Sequence, residues 1–247
     1  MNPVRGLRQR STEPEYMDDF SVGGESLLEA FRHLSRLNRI FGAQNPILYG
    51  IKYLWKHAGK PKDFTILDIG SGSGDINLSV LKWADKRGVK LKIVLTDVTE
   101  EARTEAERLF RTDSRVDFVR QDLFRPTELR ADIVTASQFV HHFPSGQLPS
   151  IVNRMLSLSR IGVVINDIHR HWIPWTAVWI ATRIVSRNPY IRHDGPLSVA
   201  RGFRGEDFRR LSRQLGNTDM TYRWRPLFRY AVIVPKRREA EFDENGI

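Results

Sequence analysis

Apolar positions along this chain recur with two periods, and the change from one to the other organises the sequence. Over 18–42 the spacing is helical, with Leu27, Leu28, Phe31, Leu34 and Leu37 on one stripe and Glu25 or Ser26 opening the run. A second helix is predicted over 46–57, where Ile47, Leu48, Ile51, Tyr53, Leu54 and Trp55 recur. Pro46 suits its first turn, and Gly59-Lys60-Pro61 ends it. From 64 onward, short apolar runs alternate with amphipathic stretches. Strands are predicted at 64–69, 91–96, 116–120, 131–137 and 160–166. Helices are predicted from 77, with Val80, Leu81 and Trp83 apolar, and over 100–111, 149–158 and 205–215. Strand-helix alternation of this kind builds a parallel sheet covered on both faces. The last two runs, 220–224 and 229–234, read as an antiparallel hairpin joined by R-P-L-F.

One stretch stands outside the alternation. Residues 172–186 are nearly all apolar and carry Trp172, Trp175 and Trp179. The run is too short to span a bilayer and contains Pro174 and Arg183. It is predicted to be an inserted helix that either closes an apolar pocket or rests on a membrane or partner surface. Residues 188–203 read as a loop punctuated by Gly195-Pro196.

The 247 residues suffice for one α/β domain with a full core. The division expected is an arm and two lid helices over 1–62, a core over 63–235 with a helical insertion at about 172–203, and a charged tail over 236–247. Residues 1–12 read as a flexible basic arm. Cysteine is absent, which excludes disulfides and thiolate metal sites; binding through His and carboxylates stays open, but no H-E-x-x-H spacing occurs and no metal is expected. The first ten residues have no apolar core and do not read as a signal peptide, so a cytoplasmic location is expected. The net charge of +10 is concentrated in 160–238, which holds 16 Lys/Arg against five Asp/Glu. Such a basic third is either a solvated surface or a means of attracting an acidic lipid, a carrier protein or nucleic acid.

Candidate chemistry gathers at 64–76, F-T-I-L-D-I-G-S-G-S-G-D-I. Strand, glycine turn and helix in this order bring backbone N–H groups and a helix N-terminus to a ligand. The dinucleotide fingerprint Gly-x-Gly-x-x-Gly fails in both registers, because Asp75 and Asn77 stand where the third glycine belongs. No Gly-Lys-Ser/Thr follows, so the turn is not a P-loop. What remains is Asp68-x-Gly70-x-Gly72-x-Gly74. A carboxylate at the strand end would repel a pyrophosphate and suits a ligand carrying an ammonium group. Asp97 ends the second strand, 23 residues past Gly74, where a carboxylate can accept from a ribose diol.

The Asp68-to-Gly74 turn resembles the first motif of the class I S-adenosylmethionine (SAM) dependent methyltransferases, of the small-molecule type. Gln121-Asp122-Leu123 resembles that family's adenine-contacting turn. The resemblance covers about 64–234. It implies a doubly wound, seven-stranded, mostly parallel α/β sheet with a Rossmann-like fold, N-terminal helices and a helical insertion after the fifth strand. It further implies SAM as cofactor, held by Asp68, Gly70, Ser71, Gly72, Gly74, Asp97, Val98, Asp122, Leu123 and Gln138.

The acceptor is expected to be small. The Asp/Asn-Pro-Pro-aromatic motif of amino-methylating nucleic-acid enzymes is missing where the chain reads Ser137-Gln138-Phe139-Val140. A phenol, polyketide or quinone precursor fits the tryptophan-rich run, with oxygen the preferred methyl acceptor and carbon the alternative. A non-catalytic SAM-binding partner subunit is the competing class. Phe139-Val140-His141-His142-Phe143 resembles the segment of small-molecule O-methyltransferases in which His-Asp-Trp supplies a catalytic histidine, with His142 standing in place of Asp. The candidate bases are therefore His141, His142 and, past the fifth strand, His169, with Asp167 and His171 beside it.

Overall fold

The computed structural model describes residues 7–21, 23–216 and 219–237. The elements run α1 (Glu25–Ile40), α2 (Gln44–His57), β1 (Asp63–Ile69), α3 (Asn77–Arg87), β2 (Lys90–Asp97), α4 (Glu100–Phe110), β3 (Val116–Arg120) and β4 (Ala131–Ser137). They continue α5 (Leu148–Leu158), β5 (Ser159–Ile168), α6 (Trp172–Val185), α7 (Pro189–Arg201), α8 (Gly205–Leu215), β6 (Thr221–Arg225) and β7 (Arg229–Pro235). Single turns of 3-10 helix cover Tyr16–Asp18 and Val140–His142.

The seven strands form one sheet in the order β3-β2-β1-β4-β5-β7-β6. The first five are parallel, and β7 enters antiparallel between β5 and β6. Strand order reverses between β1 and β4, so the ligand crevice of such a sheet opens past their C-terminal ends. Because β7 runs backwards, its first residue, Arg229, pairs with Ile168, the last residue of β5, at that same end.

Two apolar layers enclose the sheet. Ile47, Ile51, Leu54, Val80, Leu81 and Trp83 pack on one face, and Ile151, Val152, Met155, Phe203 and Phe208 on the other. Gly50 lets α2 lie close on β5, since a Cβ there would overlap Val164. A third cluster, Leu27, Ala30, Phe31, Leu37, Tyr190 and Ile191, sits outside the sheet and joins α1 to α7. Glu105, almost fully buried on α4, accepts from Arg32 of α1 and from Arg108 at 2.8 Å each, which ties this outer layer down.

Two expectations are corrected. Within 188–203, Pro189–Arg201 form a helix, not a loop. Asn188 caps it by accepting from the Tyr190 N–H at 3.0 Å, Pro189 occupies its first turn, and Tyr190, Ile191, Leu197 and Val199 are buried. Packing of that face outweighs the breaking tendency of Gly195-Pro196. Residues 7–12 are not a loose arm. Leu7 is buried, the Ser11 N–H donates to the Ala200 carbonyl, and Arg10 stacks over Phe203 at 4.3 Å. The rest of that arm (1–6) and most of the charged tail (238–247) lie outside the described residues. Part of the arginine excess also turns inward: Arg170, Arg201 and Arg229 are all buried. Among the described residues no helix is long and apolar enough to cross a membrane.

Candidate functional site

Gly70, Gly72 and Gly74 all have positive φ, at 60°, 53° and 72°. L side chains rarely adopt that region, so the turn requires glycine. At Gly70 a Cβ would also run into the Phe139 ring, which comes from the segment after β4. The carboxylate of Asp97 organises the turn across from β2. One oxygen accepts from the Gly72 N–H at 3.0 Å, and the other from the Val98 N–H at 2.8 Å and from both Thr99 donors. Burial raises the Asp97 carboxyl above its ordinary value, against the pull of those donors. The Ser71 N–H donates to the Thr96 carbonyl, which holds the turn onto β2.

Asp68 lies beneath the turn. Its oxygens accept from Thr135 Oγ1 and Asn77 Nδ2 at 2.7 Å each, and burial raises its carboxyl to about 6. It links β1 to β4 and α3. The carboxylate that meets the N-terminal helix is Asp75. Asn38 Nδ2 of α1 donates to it at 3.1 Å, and Ser35 and Ser73 share a hydroxyl–hydroxyl bond at 3.0 Å. Helix α1 therefore crosses directly over the glycine turn.

Gln138, the first residue past β4, has a left-handed φ of 54° although it is not glycine. Such a backbone costs about 1 kcal/mol or more and persists only where its surroundings hold it. Its N–H donates to the Asn166 carbonyl at 2.8 Å. Its amide donates to Asn38 Oδ1 at 2.7 Å and accepts from Arg229 at 3.3 Å. A polar chain thus runs from β7 through Gln138 and Asn38 to Asp75.

The two adjacent histidines face the N-terminal segment. His141 is buried, with Nδ1 2.8 Å from Asp167 Oδ1 and Nε2 3.3 Å from Glu15 Oε1. Burial disfavours its charged form, but Asp167 and Glu15 outweigh that and raise the imidazole to about 9. Asp167 and Glu15 are lowered in turn: burial acts to raise each, and the His141 contact overrides it. His142 stacks on His141 and holds Asp18 Oδ1 at 2.6 Å. Arg201 donates to the carbonyls of His141 and His142 and to Asp18, and Arg10 to the carbonyls of His141 and Phe143. Donor atoms of Glu15, His141 and His142 lie within 4.8 Å of one another, a spacing that could hold a cation. With Asp18 and Asp167 added, the three carboxylates already face Arg10, Arg201 and a protonated His141.

His169 lies just past β5, two residues beyond Asp167, and has partners of its own. It is half-buried, its Nδ1 lies 3.1 Å from the Tyr230 hydroxyl, and its ring stacks near His171 and Phe228. Burial lowers its pKa, helped by His171, so it is neutral at pH 7. Next to it α6 runs out with Pro174 and Thr182 buried, while Trp172, Ile173, Trp179, Ile180 and Ile184 stay exposed. On the far side, Asp122 Oδ1 accepts from the Phe124 N–H at 2.9 Å, and Leu123 is buried with its carbonyl on Arg154. The structure thus groups the glycine turn, Asp97, Val98 and Gln138 at one end of the sheet, with Asp68 beneath. His141 and His142 are held by Asp167, Glu15 and Asp18, and His169 by Tyr230.

Sequence reasoning missed Asn38, Glu15, Asp18, Arg201 and Arg229. Each reaches the site from a distant part of the chain and carries no local motif.

Comparison with known proteins agrees with this geometry. Residues 66–162 match the family model described as a methyltransferase domain. No curated protein sequence matches the chain. Among solved structures, human N-acetylserotonin methyltransferase in complex with SAM is 16% identical with a TM-score of 0.61, covering 96% of this chain and 66% of its own. The plantazolicin methyltransferase BpumL with S-adenosylhomocysteine (SAH) is 15% identical with a TM-score of 0.60, covering 83% and 90%. Magnesium protoporphyrin IX methyltransferase from Synechocystis is 12% identical with a TM-score of 0.55, covering 85% and 95%. The chain thus spans just under two thirds of the human enzyme. The sheet order and the glycine turn define the class I methyltransferase fold. Residues 66–162 are thus similar to a methyltransferase domain, within a chain that has the class I methyltransferase fold.

Proposed function

We propose that this enzyme methylates a hydroxyl of a small, largely apolar acceptor of phenolic, polyketide or quinone-like character, with His169 as general base. The observation that carries the reading is His169 itself. It is a neutral imidazole past the end of β5, oriented by Tyr230 and surrounded by Phe228, His171 and the tryptophan-bearing start of α6. A neutral imidazole accepts a hydroxyl proton near pH 7. His141 is a poor candidate by the same criterion, because it already holds its proton and is sealed between two carboxylates.

The residues present fit the cofactor. The glycine turn leaves backbone where side chains would intrude, and Asp97 has remaining acceptor capacity for a ribose diol. Asp122 spends one oxygen on its own turn and keeps the other for an adenine amino group. When bound, SAM supplies a methyl group on a sulfonium. Asp97 and Asp122 bind and orient, α1 and α6 exclude water as a lid, and His169 takes the acceptor proton. Transfer needs little beyond alignment and that proton.

The acceptor class is supported by the apolar face of α6 and by relatives whose names specify small aromatic or macrocyclic acceptors: N-acetylserotonin, magnesium protoporphyrin IX, and apigenin bound to a family 2 O-methyltransferase. Carbon is the second reading, favoured by likeness to the citrinin polyketide synthase methyltransferase domain, of which this chain spans 47%. The test is His169→Gln. Single-turnover methyl transfer should fall on the order of 100-fold at pH 7, with SAM affinity retained. A full rate in the variant removes His169 from the reaction.

A further inference from the structure

Arg229 is a buried cation at the ligand end of the sheet that no carboxylate touches among the described residues, Asp167 and Asp75 acting on it only from beyond contact distance. Its residue is 4% exposed. Nε donates to the Phe41 carbonyl at 2.9 Å and Nη2 to Gln138 Oε1 at 3.3 Å, both neutral acceptors. Nη1, with two N–H groups, is buried and has no partner among the described residues. No ion pair among the described residues includes Arg229. The other buried arginines differ: Arg201 has Asp18 and Arg170 has Asp207, at 2.8 and 3.2 Å. Burial lowers the Arg229 guanidinium to about 10, so it remains charged at neutral pH.

Burying a charge is expensive unless it is paired, and an unpaired buried donor is rare in native proteins. The placement says where the missing partner would come from. Arg229 opens β7 opposite the last residue of β5, and Gln138, which it touches, is the first residue past β4. From Gln138 the polar chain continues through Asn38 to Asp75 on the glycine turn. The Gln138 contact of Arg229 thus lies at the crevice end of the sheet. We infer that Arg229 Nη1 is an anion-binding group that receives an oxyanion of a bound ligand, with Gln138 and Phe41 fixing the guanidinium plane. The oxyanion is either the cofactor's methionine carboxylate or the ionised hydroxyl of the acceptor. Either would meet a pre-oriented fork in a water-poor site. This deepens the methyltransferase reading and rests on the crevice described above.

The test uses four probes on the full chain, each titrated by calorimetry. SAM is compared with decarboxylated SAM, and naphthoate with its neutral isostere naphthamide. Methylthioadenosine, which lacks the amino-acid end, reports whether the nucleoside site itself is intact. In the wild-type protein, at least one anionic member should bind about tenfold or more tightly than its partner. Arg229→Met should abolish that preference while methylthioadenosine binding is unchanged. Loss confined to the SAM pair assigns the anion to the cofactor, and loss confined to the naphthoate pair assigns it to the acceptor. Should Arg229→Met fail to fold, Arg229→Gln is titrated in its place with the same expectation. Equal affinity within both pairs, or a preference that survives in the variant, overturns the inference. Failure of methylthioadenosine to bind the wild type would instead overturn the cofactor site.

Discussion

Titrating His141 should unfasten the N-terminal segment. In the fold its imidazole lies between Asp167 and Glu15, with His142, Asp18, Arg10 and Arg201 around it, and its pKa is about 9 against an ordinary 6.5. At about 1.4 kcal/mol per tenfold change in proton affinity, that difference is worth roughly 3 kcal/mol of folding stability. The sign follows from which state keeps the proton. Below about pH 6.5 both folded and unfolded chains hold it, and the contribution is complete. Between 6.5 and 9 only the folded chain holds it, so stability falls as pH rises, and above 9 the contribution is gone. Asp167 and Glu15 are lowered, so their contributions are lost at the other end, as pH falls through the carboxylate range. The assay is urea denaturation of wild type and His141→Asn at pH 6.5 and 9.5. Wild type should lose roughly 3 kcal/mol across that interval. The variant should be less stable by about 3–5 kcal/mol at pH 6.5, because it leaves buried carboxylates uncompensated, and should show a flatter dependence. Groups that titrate in both proteins cancel in the comparison. Equal slopes in the two proteins would refute the buried-pair account and return His141 to the list of bases.

Asp97→Ala should weaken SAM binding at least tenfold, since it removes charge-assisted hydrogen bonds worth about 1.5–3 kcal/mol each. Calorimetry reads this, and unchanged affinity would sink the ribose assignment. Thermal stability should also drop, because the Gly72 N–H loses its acceptor. On α6, Trp179→Ala should impair acceptor use more than SAM binding, as judged by separate KM values. If only sedimentation with anionic vesicles is lost, the exposed Trp-Ile face and the neighbouring arginines serve a lipid surface instead.

Much of this architecture was legible in the chain because it is local. Strand runs at 64–69 and 131–137, the glycine turn and Asp97 each carry a signal within a few residues, and a parallel sheet follows from the alternation. The Pro189–Arg201 helix was not legible. Its Gly195-Pro196 pair is a strong breaker locally, and only the burial of Tyr190, Ile191 and Leu197 against α1 and its surroundings overrides it. The catalytic candidates divided for a similar reason. The His-His pair is conspicuous in sequence, but Glu15, 126 positions earlier, and Asp167 decide its protonation. Nothing near residues 141–142 announces them. Arg229 reads as one more member of an arginine-rich third until pairing with β5 places it at the crevice.

The most direct test is a single turnover with SAM carrying a carbon-13 methyl group and a panel of phenolic acceptors, naphthols among them. The products would be read by NMR and SAH measured in parallel. The account predicts one SAH per labelled product, with the label at a methoxy carbon and the yield dependent on His169. Label on carbon or nitrogen, or SAM bound with no SAH formed from any acceptor, would contradict it.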